Sequence, residues 1–218
     1  MPRPYRLGQR QTTTDQTRAR ILAAARSLLT ADAGFPVFSI DAVARQADVA
    51  RMTVYYQFGS RTGLLEALSD DLAGRGGMEG LADAFRQPDP LDALARYIAV
   101  FGTFWGSDRL VFRRLRGLAT LDPDFEQVIR ARDERRRQGL RVLVARLDEH
   151  AARPVVASDD ETVDALHMLT SFESFDTLAG AGRSPEEVTP IVLRIARATL
   201  GLGGTRQAEP PPERDNGV

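Results

Sequence analysis

Residues 39–65 read Ser-Ile-Asp-Ala-Val-Ala-Arg-Gln-Ala-Asp-Val-Ala-Arg-Met-Thr-Val-Tyr-Tyr-Gln-Phe-Gly-Ser-Arg-Thr-Gly-Leu-Leu. Ile40, Val43, Ala44, Ala47, Val49, Val54 and Phe58 recur where two short helices meeting at a tight turn need apolar contacts. Ala47 is small, as close helix approach requires. Asp48 falls at the turn, where a left-handed residue is needed, and Asp tolerates that conformation better than most non-glycine residues. Ala50, Arg51, Thr53, Tyr55, Tyr56 and Gln57 are left for the outside of the second helix. The pattern predicts a helix-turn-helix, whose second helix can enter the DNA major groove.

The flanks extend this reading. Asp15 is placed to cap a first helix with the apolar stripe Ala19, Leu22, Ala25 and Leu29, ended by Gly34 and Pro36. Ser39 caps the next helix, with Asp41 in its first turn, where a carboxylate suits the helix dipole. Ser60 caps a fourth helix carrying Leu64, Leu65 and Leu68. Residues 1–13 lack periodicity and read as a disordered basic arm. Residues 1–62 carry nine arginines against four acids, about +5, although the whole chain is −1. A basic head on an acidic body suits nucleic-acid binding better than the net charge suggests. All 29 basic residues are arginine.

Beyond Leu68, Gly74, Gly76, Gly77 and Gly80 should end or loosen the fourth helix, and Gln87-Pro88-Asp89-Pro90 marks a second break. Helices are then predicted over 91–106, 108–119, 122–152, 158–179 and 184–202. Asp122-Pro123-Asp124, Ser158-Asp159-Asp160-Glu161 and Ser184-Pro185-Glu186-Glu187 supply the starts of the last three. No alternating β-branched run is bounded by turns. The expected fold is therefore all-α, with about nine helices. A head spans 14–68, a larger helical body spans 69–203, and a Pro-rich disordered tail covers 204–218. The last two helices carry wide apolar stripes: Val163, Leu166, Leu169, Phe172, Phe175 and Leu178, then Val188, Ile191, Val192, Ile195, Ala198, Thr199 and Leu202. Such width predicts burial both within the chain and against a second copy, through 158–179 and 184–202.

Other classes of protein find little support. Cysteine is absent, which removes disulfides, thiolate zinc sites and cysteine nucleophiles and suits a cytoplasmic location. There is no apolar run long enough to span a membrane, and no secretory signal is expected behind Arg3, Arg6 and Arg10. Asp164-x-x-His167 has helical metal-ligand spacing but no third ligand. Gly74-x-Gly-Gly lacks the strand that a phosphate loop needs. No nucleophile–base set stands out, so no enzyme, cofactor or metal is expected. Asp70-Asp71 and Asp159-Asp160 read as helix-end chemistry. Arg113-Arg114-x-Arg116 and Arg135-Arg136-Arg137 read as solvated helix faces rather than as an anion site.

Arginine can pair with guanine, glutamine with adenine and threonine with the thymine methyl, while tyrosine hydroxyls reach phosphates. In this setting residues 14–68 resemble the DNA-binding domain of TetR-type (tetracycline-repressor-like) regulators. The likeness rests on Ile21-Leu22-Ala23-Ala24-Ala25, on Ser39-Ile40-x-x-Val43-Ala44-x-x-Ala47-x-Val49, and on Thr53-Val54-Tyr55-Tyr56-Gln57-Phe58-x-Ser60-Arg61-x-Gly63-Leu64-Leu65. It implies that Ser39 holds a phosphate while capping its helix, that Arg51, Thr53 and Tyr56 face base edges, and that Tyr55 and Arg61 anchor the backbone. Asp48 stands where the family has glycine and Met52 where a small residue is common, which bears on base preference more than on fold. The resemblance also implies a homodimer on palindromic double-stranded operator DNA, acting as a repressor released by a small-molecule effector. The alternative is a helical ligand-binding protein without specific DNA binding. Phe101, Phe104, Trp105, His167 and Phe172 are the expected effector-site residues, in an apolar pocket that selects a lipophilic compound. The fourth helix would carry the signal, with the glycines at 74–80 either acting as a soft joint or decoupling the pocket from the heads.

Overall fold

The structure, a computed structural model, describes residues 5–31, 38–150 and 157–202. Within them the chain is entirely helical. It forms α1 (Tyr5–Thr30), α2 (Ile40–Gln46), α3 (Arg51–Phe58), α4 (Arg61–Arg75), a 3₁₀ turn (Met78–Gly80), α5 (Leu81–Arg86) and α6 (Pro90–Ser107). There follow α7 (Arg109–Ala119), α8 (Pro123–Glu149), α9 (Asp159–Leu169), α10 (Phe172–Ala179) and α11 (Pro185–Thr199). The expected stop at Gly34 and Pro36, residues 1–4 of the arm and the tail from 203 lie outside the described residues.

Helix α1 starts at Tyr5, so Asp15 lies inside the helix instead of capping it, and residues 5–13 of the expected arm are helical. Its buried face is Ile21, Leu22, Ala24, Ala25 and Leu29, while Ala19 is exposed. Against that face pack α2 and α4. Ser39 caps α2 as expected, its hydroxyl accepting from the Ala42 amide at 3.2 Å. Asp48 takes the left-handed conformation at φ 51°, which turns the chain into α3. Val43, Ala47 and Val54 fill the angle between the two helices. Ser60 caps α4, accepting from the Gly63 amide at 3.0 Å.

Helix α4 ends at Arg75, and Gly77 reverses the chain with φ 79°. Gly76 has a different reason to be glycine: a Cβ there would lie 2.6 Å from the Phe104 ring. Gly76 is thus a tight packing contact, whereas a Cβ at Gly74 would meet nothing within 4 Å. Asp89 caps α6 through the Leu91 and Asp92 amides, with Pro90 at the first helical position. Helix α6 is buried along its length and packs against α5, α8, α10 and α11. Asp122 caps α8 through the Phe125 amide, and capping boxes start α9 and α11 at Ser158–Glu161 and Ser184–Glu187.

Among the described residues eleven helices stand where about nine were expected, for two reasons. Helix α5 is only six residues long and lies wholly inside what the glycines and prolines mark as a break. The predicted helix 158–179 is divided at Thr170-Ser171. There the indole N–H of Trp105 donates to the Thr170 carbonyl at 3.0 Å, and extended Ser171 restarts the helix by accepting from the Ser174 amide at 3.2 Å. The wide stripes divide as well. Val163, Leu166, Phe172, Phe175, Val188 and Val192 are buried in the chain, whereas Ile195 and Ala198 are exposed and Ile191 and Leu178 half-buried. No helix among the described residues is long and apolar enough to cross a membrane.

Replacing Trp105 with Phe keeps one aromatic ring in place but loses part of the indole's volume and leaves the buried Thr170 carbonyl without the indole N–H. An unsatisfied buried acceptor costs about 1–3 kcal/mol, so the Trp105→Phe variant should show a lower urea midpoint at unchanged m-value.

Candidate nucleic-acid interface and internal cavity

Helix α3 presents its outer face because Val54 alone of its residues is fully buried. Tyr56 is 85% exposed, and Arg51 and Met52 are exposed beside it. Thr53 is half-buried at the edge of this face. Tyr55 packs partly against the head core, and its hydroxyl accepts from Arg51 Nη2 at 3.2 Å. The Arg51 guanidinium lies 5.5 Å from the Tyr55 ring centroid and 3.3 Å from Asp41. The Tyr55 hydrogen bond, followed by the Asp41 charge, raises the Arg51 pKa above its ordinary value. Arg51 is thus held upright on the recognition face, with Asp41 as a competitor for any acceptor on DNA. At the other end, Arg18 of α1 donates to the Gln57 carbonyl at 3.1 Å and stacks over Phe58, fixing how α3 leaves the body of the head.

Arg61 is placed differently from what the resemblance implies. Its Nε donates to the Phe38 carbonyl at 3.1 Å, its guanidinium sits over the Phe38 ring, and Nη1 pairs with Asp122 at the start of α8. It therefore ties the head to the body. The partner is 61 residues away, a relation that local sequence does not display. Two further arginines do the same: Arg26 of α1 pairs with Asp108, and Arg114 of α7 donates to the carbonyls of Leu29 and Ala31.

A cavity of about 370 Å³ opens between α4, α5, α6, α7 and α8. Phe101, Phe104 and Trp105 line it as expected, together with Phe112, Leu115 and Met78. Ser69, Asp70 and Ala73 of α4 also form part of its wall. Two expected residues are elsewhere. Phe172 packs behind Trp105, ring centroids 5.7 Å apart, and His167 turns Nε2 to the Asp133 carbonyl at 3.1 Å. Burial, then the Arg136 charge, lowers the His167 pKa.

The cavity also has a charged end that the sequence reading assigned to solvent. Arg136 is only 5% exposed. Its Nη1 donates to the His167 carbonyl at 2.6 Å and to Thr170 Oγ1 at 3.1 Å, and Nη2 lies 3.2 Å from Asp133. Arg116 meets the same Asp133 with two hydrogen bonds, at 2.8 and 3.1 Å. Burial opposes charge on all three groups. For Asp133 the two guanidiniums outweigh it and the pKa falls; for Arg116 the Asp133 and Glu173 carboxylates outweigh it and the pKa rises; for Arg136 burial prevails and the pKa falls. A signal was present: Phe125, Ile129, Arg132, Arg136, Leu140, Leu143 and Leu147 share one helical stripe, so Arg132 and Arg136 stand in apolar register.

Residues 21–68 match the model of the family described as bacterial regulatory proteins, tetR family. Over 203 residues the chain is 28% identical to the HTH-type transcriptional regulator EthR of Mycolicibacterium smegmatis, covering 87% of this chain and 90% of that protein. A TetR-like transcriptional regulator from Rhodococcus sp. RHA1 has a similar fold, with TM-score 0.62 at 23% identity, over 85% of this chain and 96% of that one. The fatty acid degradation regulator FadR from Bacillus halodurans superposes with TM-score 0.60 at 16% identity, over 87% and 96%. The head thus matches the family model of tetR-type bacterial regulatory proteins over residues 21–68, and the whole chain shares its fold with TetR-like regulators.

The exposed placement of Tyr56 and the tethered placement of Arg61 predict different behaviour for two head variants. Tyr56→Ala removes an exposed side chain and should change stability by no more than about 0.5 kcal/mol. Arg61→Ala should cost about 1–3 kcal/mol, because Asp122 and the Phe38 carbonyl lose a charged donor. Paired thermal melts of the two variants check this.

Proposed function

We propose that the chain is a homodimeric repressor that leaves a palindromic operator when a lipophilic small molecule enters the α4–α8 cavity. One observation carries this reading: α4, whose N-terminus packs in the head beside α3, also supplies a wall of the cavity. An occupant therefore touches the element that positions the recognition helix. It can alter DNA affinity only through different affinity for the DNA-bound and free arrangements. On the DNA side, Arg51, Thr53 and Tyr56 read base edges, Tyr55 holds Arg51 and reaches a phosphate, and Ser39 caps α2 against the backbone. Arg61 acts by fixing the head rather than by direct contact. The head spans 14–68 and the effector and dimerisation body 69–203.

Gel shifts over DNA upstream of its own coding region test the DNA reading. Specific binding should fall steeply with salt, since phosphate contacts release counterions. Tyr56→Ala combined with Thr53→Ala should weaken it by at least about tenfold, at about 1–3 kcal/mol for each lost base contact. A double variant that binds as well as the wild type would overturn this assignment.

The dimer is expected through the faces of α9–α11 that the chain leaves open, centred on Ile195 with Ile191, Ala198 and Leu178. Two recognition helices can then occupy successive major grooves roughly 34 Å apart. Ile195→Glu should sediment as a monomer and lose high-affinity operator binding. A variant that remains dimeric would place the interface elsewhere.

A further inference from the structure

The charged end of the cavity is unbalanced. Arg116, Arg132, Arg135 and Arg136 face Asp70 and Asp133, an excess of two positive charges. Asp133 is already shared by Arg116 and Arg136. Asp70, exposed on α4, meets Arg132 at 2.7 Å through Nη2. Glu173, outside the cavity, approaches Arg116 at 3.5 Å. The Nε–H groups of Arg132 and Arg136 are buried and find no acceptor among the described residues. Buried donors rarely stay without a partner. These two arginines lie one turn apart on α8 and so share a face. An aromatic wall adjoins them: Phe101, Phe104, Trp105 and Phe112 are packed ring against ring, with the Arg136 guanidinium 5.9 Å from the Phe101 ring centroid and that of Arg116 5.8 Å from the Trp105 ring centroid.

We propose that the effector is a lipophilic monocarboxylate, with its apolar body against Phe101, Phe104 and Trp105 and its carboxylate on Arg132 and Arg136. This rests on the reading of the cavity as the effector site and names the chemistry of its occupant. A carboxylate accepts at two oxygens and matches guanidinium donors in geometry and charge. A cationic head group would meet four arginines. A neutral one would leave the charge excess uncompensated. A dianion would carry a greater desolvation cost into a site whose remaining wall is apolar. The incoming carboxylate also competes with Asp70 for Arg132, so binding exchanges an α4–α8 ion pair for a ligand–α8 pair.

Trp105 is the only tryptophan and lies on the cavity wall, so its emission reports occupancy in the full-length protein. Octanoate, octanamide and octylamine share a tail and differ in head group. At pH 7.5, below any micelle threshold, octanoate should bind at least about tenfold more tightly than octanamide, a difference of about 1.4 kcal/mol, and octylamine most weakly. Arg132→Gln and Arg136→Met should each bring octanoate to the level of octanamide, and Arg132→Lys should recover part of the preference. Arg132 is the more exposed of the two, so its variants decide the matter if Arg136→Met does not fold. Equal binding of octanoate and octanamide by the wild type, or full octanoate preference in Arg132→Gln, overturns the carboxylate assignment while the apolar cavity stands. No change in Trp105 emission with any of the three overturns the effector-site reading as well.

Discussion

Helix α6 is enclosed by α5, α8, α10 and α11 at once, and that enclosure decides where its few polar atoms can go. The Tyr97 hydroxyl is driven to the Arg136 backbone carbonyl, 2.8 Å away, and the same burial pushes its pKa upward. The Trp105 indole is driven to Thr170, and so breaks the chain between α9 and α10. On the opposite side, Gly102 lets α10 and α11 come close, since a Cβ would meet Phe175 at 3.0 Å and overlap Thr189. Gly76 does the same for α4 against Phe104. The cavity is what remains between α6, α4 and α8 once those close approaches are satisfied. Its aromatic wall is a consequence of α6 packing before it is a ligand site.

The contact between head and body is made in another way. It has some apolar contact between α1 and α7, but its directional links are guanidinium groups: Arg26 to Asp108, Arg61 to Asp122, and Arg114 to the last carbonyls of α1. Asp108 and Asp122 bracket α7, and Asp122 also caps α8. A displacement of α7 or of the α8 N-terminus therefore reaches α1 and α4 through charged hydrogen bonds as well as through the apolar core that head and body share. Arginine suits this work, because its planar fork keeps several donors in fixed directions.

Much of the head could be read directly from the chain. Ser39, Asp48 and Ser60 act locally, each on an amide or a backbone angle a few residues away, so their roles are visible in sequence. The same holds for Asp122, Ser158 and Ser184 as helix starts. The division at Thr170 was not legible, because the apolar stripe from Val163 to Leu178 runs through it without glycine or proline. Its cause, Trp105, lies 65 residues upstream. Arg61 was assigned to DNA from its local setting and turned inward by a distant partner. Phe101, Phe104 and Trp105, picked out by local aromatic density, line the cavity. His167 and Phe172 share that chemistry but face away from the cavity, a matter of helix rotation fixed by the break at Ser171.

The stripe of α8 joins these strands. Arginine at 132 and 136 interrupts an otherwise apolar face, and each guanidinium needs partners that a helical body does not readily supply. Arg136 obtains them from the His167 carbonyl and Thr170 Oγ1, atoms at the end of α9 beside the Trp105-induced break. Arg132 obtains them from Asp70 and the Glu66 carbonyl, both on α4. One pair of neighbouring cations thus touches two separate elements: the end of α9, and α4, which enters the head. Substituting leucine at either position would fill the stripe more economically in desolvation terms, but it would remove the polar link from α8 to that element. The two arginines thus tie α8 to both elements while each keeps one buried donor, its Nε–H, without an acceptor among the described residues.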